Sequence, residues 1–356
     1  MTISNSIQTW VGTVLAVQAN FYRVRLDPPQ AGEGLEQSEL LCTRRARLKK
    51  LGQQVMVGDR AIVEEPDWMG QRGAIAEVLP RQSELERPPI ANADQVLLVF
   101  AMADPVIDVY QLSRFLVAIE STGLKIIPCL SKADLVTARE RREWCDRLQQ
   151  WGYSAIAISV QTGVGLERLR HQLERRITVL AGPSGVGKSS LINAFAPHLD
   201  LRVGEISDHW RKGKHTTRHV ELFELPQGGL LADTPGFSQP TLSYLPEDLI
   251  HAFPEGRERL ASHNCQFKDC LHKDEPNCAV RDSWERYGDY LEFLEEAIAY
   301  QTQLRRSRNP ESRLKLQSQQ NGTSTYEPKL ETKRYRRTSR RTQQQSLNHL
   351  YDEAQE

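Results

Sequence analysis

The stretch Gly-Pro-Ser-Gly-Val-Gly-Lys-Ser, residues 182–189, constrains this chain more than any other. It fits the pattern Gly, any four residues, Gly-Lys-Ser/Thr, in which a loop between a strand and a helix binds phosphate. The apolar residues 177–180 predict a buried strand before it, and residues 190–195 predict the first turns of a helix after it. A glycine-rich turn without further function is the alternative. Because the lysine, the serine and both flanking elements are present, we expect a phosphate-binding α/β domain.

Each residue type in this stretch has a chemical use. Gly182, Gly185 and Gly187 let the backbone curl so that its N–H groups point at phosphate oxygens. Lys188 is expected to contact the β- and γ-phosphates, and Ser189 to offer its hydroxyl to Mg²⁺. The residues expected to touch the nucleotide here are Gly182, Pro183, Ser184, Gly185, Val186, Gly187, Lys188, Ser189 and Ser190.

Predicted strands and helices alternate along this part of the chain. Apolar runs predict strands at residues 95–101, 125–130 and 155–159, and amphipathic stretches predict helices at 109–121, 138–151 and 166–176. This rhythm implies a parallel sheet covered on both faces.

Two short motifs follow strands of this predicted sheet. Ser131-Lys132-Ala133-Asp134 is similar to the Asn-Lys-x-Asp motif of guanine-nucleotide proteins, with serine in place of asparagine. An aspartate there accepts hydrogen bonds from N1–H and the 2-amino group of guanine, which adenine cannot offer. The alternative is a helix start capped by Asp134. Ser159 begins a second loop. This loop is similar to the Ser-Ala-x loop, which supports the nucleotide base through backbone groups.

Residues after the phosphate loop are candidates for sensing the γ-phosphate. In the run Asp-Thr-Pro-Gly at 233–236, Asp233 is expected to hold Mg²⁺ through water, and the Gly236 N–H is expected to contact the γ-phosphate. In the basic segment 204–218 we prefer Thr217 to Thr216 as a further Mg²⁺ contact. Phe237 stands where a glutamine would orient the attacking water, so the sequence does not identify that residue.

The N-terminal part has a different pattern. Short strands predicted at residues 10–17, 21–26, 40–48, 55–65 and 73–79 indicate a small β-barrel of the oligonucleotide-binding type over residues 1–85. Its basic residues would suit phosphate contacts with RNA, or would form a solvated strand face, and they are Arg44, Arg45, Arg47, Lys49 and Lys50. A polar, proline-marked linker is predicted at 80–89.

Three of the six cysteines crowd between residues 265 and 278. Cys265, Cys270, His272 and Cys278 offer three thiolates and one imidazole, which is a closed, structural set of Zn²⁺ ligands. Unrelated free cysteines are the alternative. Cys42, Cys129 and Cys145 lie in strand or helix patterns and are interpreted as packed residues.

Charge is distributed unevenly, although 46 basic residues balance 46 acidic ones. Residues 301–356 hold 12 Lys or Arg against 6 Asp or Glu, and the rest of the chain holds 34 against 40. A long helix is predicted at 284–304, and we expect the tail at 306–356 to be disordered, either bound to a polyanion or simply solvated. Without an apolar run of eighteen residues or a signal-peptide pattern, the chain is expected to be cytoplasmic and independent of membranes. It is also expected to be a monomer.

The order of these motifs is circularly permuted, since the base-reading pair precedes the phosphate loop. An N-terminal barrel, a permuted GTPase domain at 90–240 and a cysteine-rich domain at 241–305 together resemble the RsgA (YjeQ) family over residues 9–305. The resemblance implies an α/β P-loop GTPase domain between an all-β OB-like barrel and a helical zinc-binding domain.

The resemblance also implies an activity and partners. It implies Mg²⁺-dependent hydrolysis of GTP to GDP, stimulated by the small (30S) ribosomal subunit. It further implies a late role in maturation of that subunit, contacts to 16S rRNA, and release controlled by nucleotide state. Two alternatives stay open: an RNA-binding module with a vestigial nucleotide site, and an ATP-using P-loop protein. Intact Lys188, Ser189 and Asp233 argue against the first, and Asp134 argues against the second.

Overall fold

The structure, a computed structural model, describes residues 9–27, 39–86, 88–197, 220–233, 242–282, 284–308, 314–318 and 324–328. The chain divides into two compact units, Met1–Ala297 and Ile298–Glu356. The first unit holds a barrel, a central sheet and a C-terminal helical part. Among the helices of the described ranges, none is long and apolar enough to cross a membrane.

Five strands and one short helix form the N-terminal barrel. They are β1 (Trp10–Gln18), β2 (Phe21–Leu26), β3 (Glu39–Arg44), α1 (Ala46–Lys50), β4 (Arg60–Asp67) and β5 (Arg72–Val78). The barrel closes because β1 pairs with both β2 and β4, while β5 pairs with β3 and β4. Its strands alternate buried and exposed side chains, as in β2, so one face of each strand fills the interior.

The predicted strand at residues 40–48 is wrong in its second half. The strand ends at Arg44, and α1 begins two residues later. The sequence Ala-Arg-Leu-Lys-Lys consists of good helix formers, and Leu48 is the one buried residue of the helix. One buried anchor in five residues fits a helical turn on the barrel better than the alternating burial of a strand.

A β-bulge in β1 directs one side chain out of the barrel. The pairing of β1 with β2 shifts between Val14 and Ala16, so that Leu15 is the extra residue. Val14 belongs to the barrel core, whereas Leu15 is buried in a core of the central domain. A bulge re-aims a side chain in this way, and here it anchors the barrel to the next domain.

The predicted linker at 80–89 carries regular structure. The strands β6 (Glu84–Glu86) and β7 (Pro89–Ala91) form a two-stranded sheet. Arg81 binds the fully buried carboxylate of Asp59 with two hydrogen bonds of 2.7 and 3.0 Å. These contacts fasten the segment to the barrel.

The described residues of the central domain form six strands and four α-helices. They are β8 (Gln95–Ala101), α2 (Val109–Glu120), β9 (Lys125–Ser131), α3 (Ala138–Gln150), β10 (Ile156–Ala157), α4 (Leu166–Leu173), β11 (Ile177–Ala181), α5 (Lys188–Phe195), β12 (Glu221–Leu225) and β13 (Gly229–Asp233). The strand order is β10-β9-β8-β11-β13-β12, with every pair parallel except β13 and β12.

Both faces of this sheet are covered, as predicted. Residues of β8 alternate between two buried clusters, with Val96 and Phe100 in one and Leu97 and Val99 in the other. The first cluster includes residues of α2 and α3, and the second includes residues of α4 and α5. The base-reading strand β9 precedes the phosphate-loop strand β11 in the chain, which is the permuted order.

Barrel and central sheet are continuous. The strand β12 pairs with β13 on one side and with β1 on the other, where Ala16 is in register with Glu221. In the part of the chain that the structure describes, the result is one sheet of eleven strands.

The C-terminal helical part packs on the outer face of α2 and against the end of α3. It comprises a 3₁₀ helix (Leu249–Ala252), α6 (Pro254–Ser262) and the residues of α7 (Tyr287–Arg308) up to Ala297, where the first unit ends. Tyr244 donates a hydrogen bond of 3.0 Å to the carbonyl of Val117 in α2. The predicted helical character of residues 241–253 is wrong for the described residues before Leu249. Residues 242–245 have no regular structure and 246–248 form a turn, which begins at Pro246, a residue without an N–H donor.

The second unit contains a hairpin of β14 (Leu314–Ser318) and β15 (Ser324–Pro328). This differs from the expected disorder of the tail. Leucines alternate with polar residues in Leu-Lys-Leu-Gln-Ser, and Asn-Gly at 321–322 is a strong hairpin signal. Those local signals account for the two strands, and the basic run at 333–341 lies outside the described residues.

Candidate nucleotide site and metal cluster

The phosphate loop has the backbone that its glycines predict. Gly182, Gly185 and Gly187 have φ values of +132°, +81° and +91°, in the region that favours glycine. A Cβ on Gly182 would lie 2.1 Å from the carbonyl oxygen of Val99 in β8, so no larger residue fits there. The loop thus curls tightly between the end of β11 and the start of α5.

Side chains of the loop divide into anchors and exposed groups. Val186 is buried in the core under α5, so only its backbone can face a ligand. Ser184 and Gly185 are exposed, and Pro183, Ser189 and Ser190 are half-buried. Lys188 Nζ lies 2.9 Å from the carbonyl oxygen of Gly182 and 2.6 Å from that of Pro183. Its ammonium group therefore lies inside the loop.

Ser131 does not face outward as a base-reading group would. It ends β9 in a buried position, and its hydroxyl lies 2.5 Å from the carbonyl oxygen of Val186 and 3.2 Å from that of Phe100. The shorter contact fixes the base-reading loop to the phosphate loop.

Asp134 is the group in this loop that is open to a ligand. Its side chain is exposed, and among the described residues no hydrogen bond or ion pair to its carboxylate is found. Thr137, not Asp134, caps the helix α3, so the capping alternative for Asp134 fails. Lys132 has a left-handed backbone (φ +54°), and its Nζ donates to the carbonyl of Asp104.

The loop that begins at Ser159 is joined to the base-reading loop. Ala133 N–H donates a 2.9 Å hydrogen bond to the carbonyl of Ile158. Ser159 is fully buried, and its hydroxyl accepts a hydrogen bond from the Thr162 N–H at 3.1 Å. The Ser159 hydroxyl thus shapes its own loop, which leaves contact with a base to backbone groups.

Sequence reasoning missed the loop after β8. Because β8 lies between β9 and β11, this loop reaches both neighbouring loops. Asp104 accepts the hydrogen bond from Lys132, and the Cδ of Pro105 lies 3.9 Å from where a Cβ on Gly185 would stand. Ligands bind at the carboxyl ends of parallel strands. The signal in the sequence was therefore that this loop directly follows the buried strand predicted at 95–101.

The expected γ-phosphate residues are only partly described. Asp233 is the last residue of β13, which runs parallel to β11 and ends at the same edge of the sheet. Thr217 and Gly236 lie outside the described residues.

Cys265, Cys270, His272 and Cys278 converge on one point, with all four ligand atoms within 4.8 Å of one another. His272 Nδ1 lies 3.4 to 3.5 Å from each Sγ, and the Sγ atoms of Cys265 and Cys278 are 4.0 Å apart. A tetrahedral ion with Zn–S and Zn–N bonds of usual length gives edges of about 3.8 Å and about 3.6 Å. The donor set therefore fits a tetrahedral metal ion.

Hydrogen bonds from α7 and from one carboxylate hold this cluster. Tyr287 and Tyr290 donate hydrogen bonds of 2.8 and 2.7 Å to the carbonyls of His272 and Leu271. Glu275 accepts from the N–H groups of Leu271 and Lys273. Burial raises the pKa of the Cys270 thiol to about 12 and lowers the pKa of His272, so the imidazole is neutral and can bind a metal.

The other three cysteines are packed residues, as predicted: Cys42 and Cys129 are buried, and Cys145 is partly buried against the core of the central domain. Burial raises the pKa of Cys42 to about 12, which makes it an unreactive thiol.

Comparisons with known proteins agree with this architecture. The RsgA GTPase family model matches residues 78–243. "Small ribosomal subunit biogenesis GTPase RsgA" of Trichormus variabilis is 61% identical over 359 residues, which cover 96% of this chain and 97% of that protein. The protein of the same name from Synechocystis is 53% identical, with 94% of each chain covered.

Two solved structures share the fold. YjeQ from Thermotoga maritima is 32% identical with a TM-score of 0.68, covering 82% of this chain and 99% of that one. YloQ, described as a circularly permuted GTPase, is 30% identical with a TM-score of 0.66, covering 84% of this chain and 98% of that one.

Proposed function

Because the chain belongs to the RsgA GTPase family, it is a GTP-hydrolysing enzyme of small-ribosomal-subunit biogenesis, and we propose that it binds GTP along the carboxyl edge of β8, β9, β10 and β11. The observation that carries this placement is the exposed carboxylate of Asp134 on a loop fixed to the phosphate loop. The hydrogen bond from Ser131 to the Val186 carbonyl holds the two together. A base reader and a phosphate binder at a fixed spacing suit a nucleoside triphosphate.

Asp134 is proposed to select guanine. Its carboxylate accepts only, so it suits the N1–H and 2-amino donors of guanine and leaves adenine unmatched. The Lys132 side chain is proposed to cover one face of the ring, and its contact with Asp104 fixes its direction. Backbone groups of the Ser159 loop would complete the site.

Lys188 and the N–H groups of the phosphate loop are proposed to bind the β- and γ-phosphates. Ser189 is proposed to bind Mg²⁺ through its hydroxyl, and Asp233 to hold the ion through water, since this ion prefers oxygen ligands and keeps several of its waters. Bound Mg²⁺ would neutralise charge on the β- and γ-oxygens. From their motifs, Thr217 and Gly236 are proposed to contact Mg²⁺ and the γ-phosphate, respectively.

We propose that Cys265, Cys270, His272 and Cys278 hold one structural Zn²⁺. Three thiolates and one imidazole leave no open position for water, so the ion would stabilise the fold of the C-terminal part and take no part in hydrolysis.

The proposed RNA partner fits some basic residues of the barrel better than others. Arg44 donates to the carbonyl of Gln53 and lies over the Tyr22 ring, and Arg45 pairs with Glu65 at 2.6 Å. Arg47, Lys49 and Lys50 are exposed on α1. These three are proposed to contact rRNA phosphates, so their loss should reduce the salt dependence of binding to the subunit.

The test is phosphate release from GTP by the full chain, with and without purified small ribosomal subunits. We expect subunits to raise the rate, and an excess of ATP to leave it unchanged. In Asp134→Ala the preference of GTP over ATP should disappear, whereas Glu143→Ala, on the exposed face of α3, should retain it. Equal use of GTP and ATP by the unmodified chain would contradict the guanine assignment, and a rate that subunits leave unchanged would contradict the ribosomal one.

A further inference from the structure

The chain at the end of β8 contacts the base-reading loop at three alternate residues. The Ser131 hydroxyl lies 3.2 Å from the carbonyl oxygen of Phe100. Two residues further on, the N–H of Met102 donates a hydrogen bond of 2.9 Å to the Ser131 carbonyl. After two more residues, the carbonyl of Asp104 accepts a hydrogen bond from Lys132 Nζ. The third contact is the one that reaches a side chain proposed to cover the guanine ring.

The same loop lies beside the phosphate loop and is fixed at both ends. Met102 and Ile107 are buried in the core that also contains residues of α2. Between them, residues 104–106 are exposed. The Cδ of Pro105 lies 3.9 Å from the position that a Cβ on Gly185 would take. A short loop with anchored ends is therefore held between the base-reading loop and the phosphate loop.

Asp104 has a left-handed backbone, with φ of +48°. Residues other than glycine rarely adopt this conformation, but aspartate and asparagine do so more readily than most, whereas a β-branched residue is strained there. The backbone dihedral angles of Asp104 set the direction of its carbonyl. A residue that left the left-handed region would therefore turn this carbonyl away from Lys132.

The main chain of Asp104, and not its carboxylate, makes the contact with Lys132. The side chain of Asp104 is exposed, and within the described ranges no hydrogen bond or ion pair to its carboxylate is found. The residue type at position 104 therefore matters for this contact through its backbone preference rather than through its charge.

We propose that Asp104 is a positioning residue of the nucleotide site: its left-handed backbone holds the carbonyl that binds Lys132 Nζ, and this contact raises the affinity for the guanine nucleotide. A free lysine side chain would lose rotamer freedom when it covers the ring. An anchored stem has already lost that freedom, so the nucleotide binds more tightly. The inference rests on the proposed function, in which Lys132 covers the ring.

The test measures the affinity of the full chain for a fluorescent GDP analogue. The variants are Asp104→Val, Asp104→Asn, Lys132→Met and the double variant Asp104→Val/Lys132→Met. Valine is β-branched and disfavours the left-handed region, asparagine tolerates it, and methionine keeps an apolar stem without the ammonium group. The control is Ala19→Val, which places valine at another exposed left-handed residue (φ +53°), after β1 in the barrel.

We expect Asp104→Val and Lys132→Met each to weaken GDP binding about fivefold, the factor that corresponds to one net hydrogen bond. The double variant should be no weaker than either single variant, because both changes remove the same contact. Asp104→Asn should bind GDP about fivefold more tightly than Asp104→Val, and Ala19→Val should bind it like the unmodified chain. In assays with small ribosomal subunits, the loss in Asp104→Val should appear in KM for GTP rather than in kcat.

The inference is overturned if folded Asp104→Val binds GDP as tightly as the unmodified chain, or if the losses in the double variant add. It is also overturned if Asp104→Asn is as weak as Asp104→Val, since the carboxylate would then be the required group. If Asp104→Val does not fold, Lys132→Met decides, and an undiminished affinity in that variant overturns the inference. Failure of the proposed function looks different: Lys132→Ala, which removes the whole stem, would leave the affinity for GDP unchanged.

Discussion

Ser131 and Val186 lie 55 residues apart in the chain, yet the hydroxyl of Ser131 donates a hydrogen bond of 2.5 Å to the carbonyl of Val186. One end of this bond is in the base-reading loop and the other is in the phosphate loop. Both groups are buried, so the bond is shielded from water and fixes the spacing of the two loops.

Replacing Ser131 by alanine should weaken binding of GDP and GTP equally. A buried hydrogen bond contributes about 1 kcal/mol net, which corresponds to roughly fivefold in affinity. Titration with fluorescent GDP and GTP analogues measures the effect, with Ser154→Ala, at an exposed position before β10, as the control. Unchanged affinity for both nucleotides would show that the bond does not hold the loops.

Asp134→Asn should change the preferred base from guanine to xanthine. The NH₂ group of the new amide can donate to the O2 carbonyl of xanthine. In guanine the 2-amino group takes the place of that carbonyl, so two hydrogen-bond donors would face each other. We expect GDP affinity to fall by about a hundredfold or more, because unmatched polar groups in a site discriminate steeply. Competition between GDP and XDP checks this, and an unaltered order of affinities would exclude Asp134 as the base reader.

Lys188→Ala should abolish turnover without unfolding the chain. The contacts of Lys188 Nζ in the structure include two carbonyls of its own loop, and the side chain is half-buried, so little packing is lost. Single-turnover hydrolysis and circular dichroism are the measurements. Lys125→Ala, which loses an exposed contact to Gln172, serves as the control. Retained turnover would contradict the role given to Lys188.

Arg286→Ala should destabilise the first unit by roughly 3–5 kcal/mol, because it leaves the buried carboxylate of Glu255 unpaired. The guanidinium also lies 4.8 Å from the ring centroids of Trp151 and Phe253, between α3 and the C-terminal part. Urea unfolding measures the loss. The double variant Glu255→Leu/Arg286→Met should recover much of the lost free energy of unfolding. If Arg286→Ala and the double variant lost the same amount, packing of the Arg286 side chain would matter more than the charge pair.

Removal of the metal should destabilise the C-terminal part selectively. We expect a chelator, or Cys278→Ser, to lower its melting temperature and to expose residues 242–297 to protease. Cys145→Ser, outside the cluster, should melt like the unmodified chain. Mass spectrometry should find one zinc per chain. A melt unchanged by chelation, together with no bound zinc, would disprove the site.

Local patterns predicted much of the fold. The strands and helices around the phosphate loop were predictable because their apolar patterns extend over the whole element, as in the fully buried strand Gln95–Ala101. Prediction failed where a short segment changes type, as at Ala46–Lys50, and where a short hairpin forms in a polar stretch, as in β14 and β15.

The sequence by itself determined the parts of the site that are contiguous. Gly182 to Ser189 form the phosphate loop through their own backbone, and four metal ligands within fourteen residues can meet around one ion with few constraints from elsewhere. Tertiary structure alone decided that Ser131 bonds to Val186, that Lys132 bonds to Asp104, and that Arg23 reaches Glu221. Periodicity tells which face of a strand is buried, but it does not tell which distant strand lies beside it.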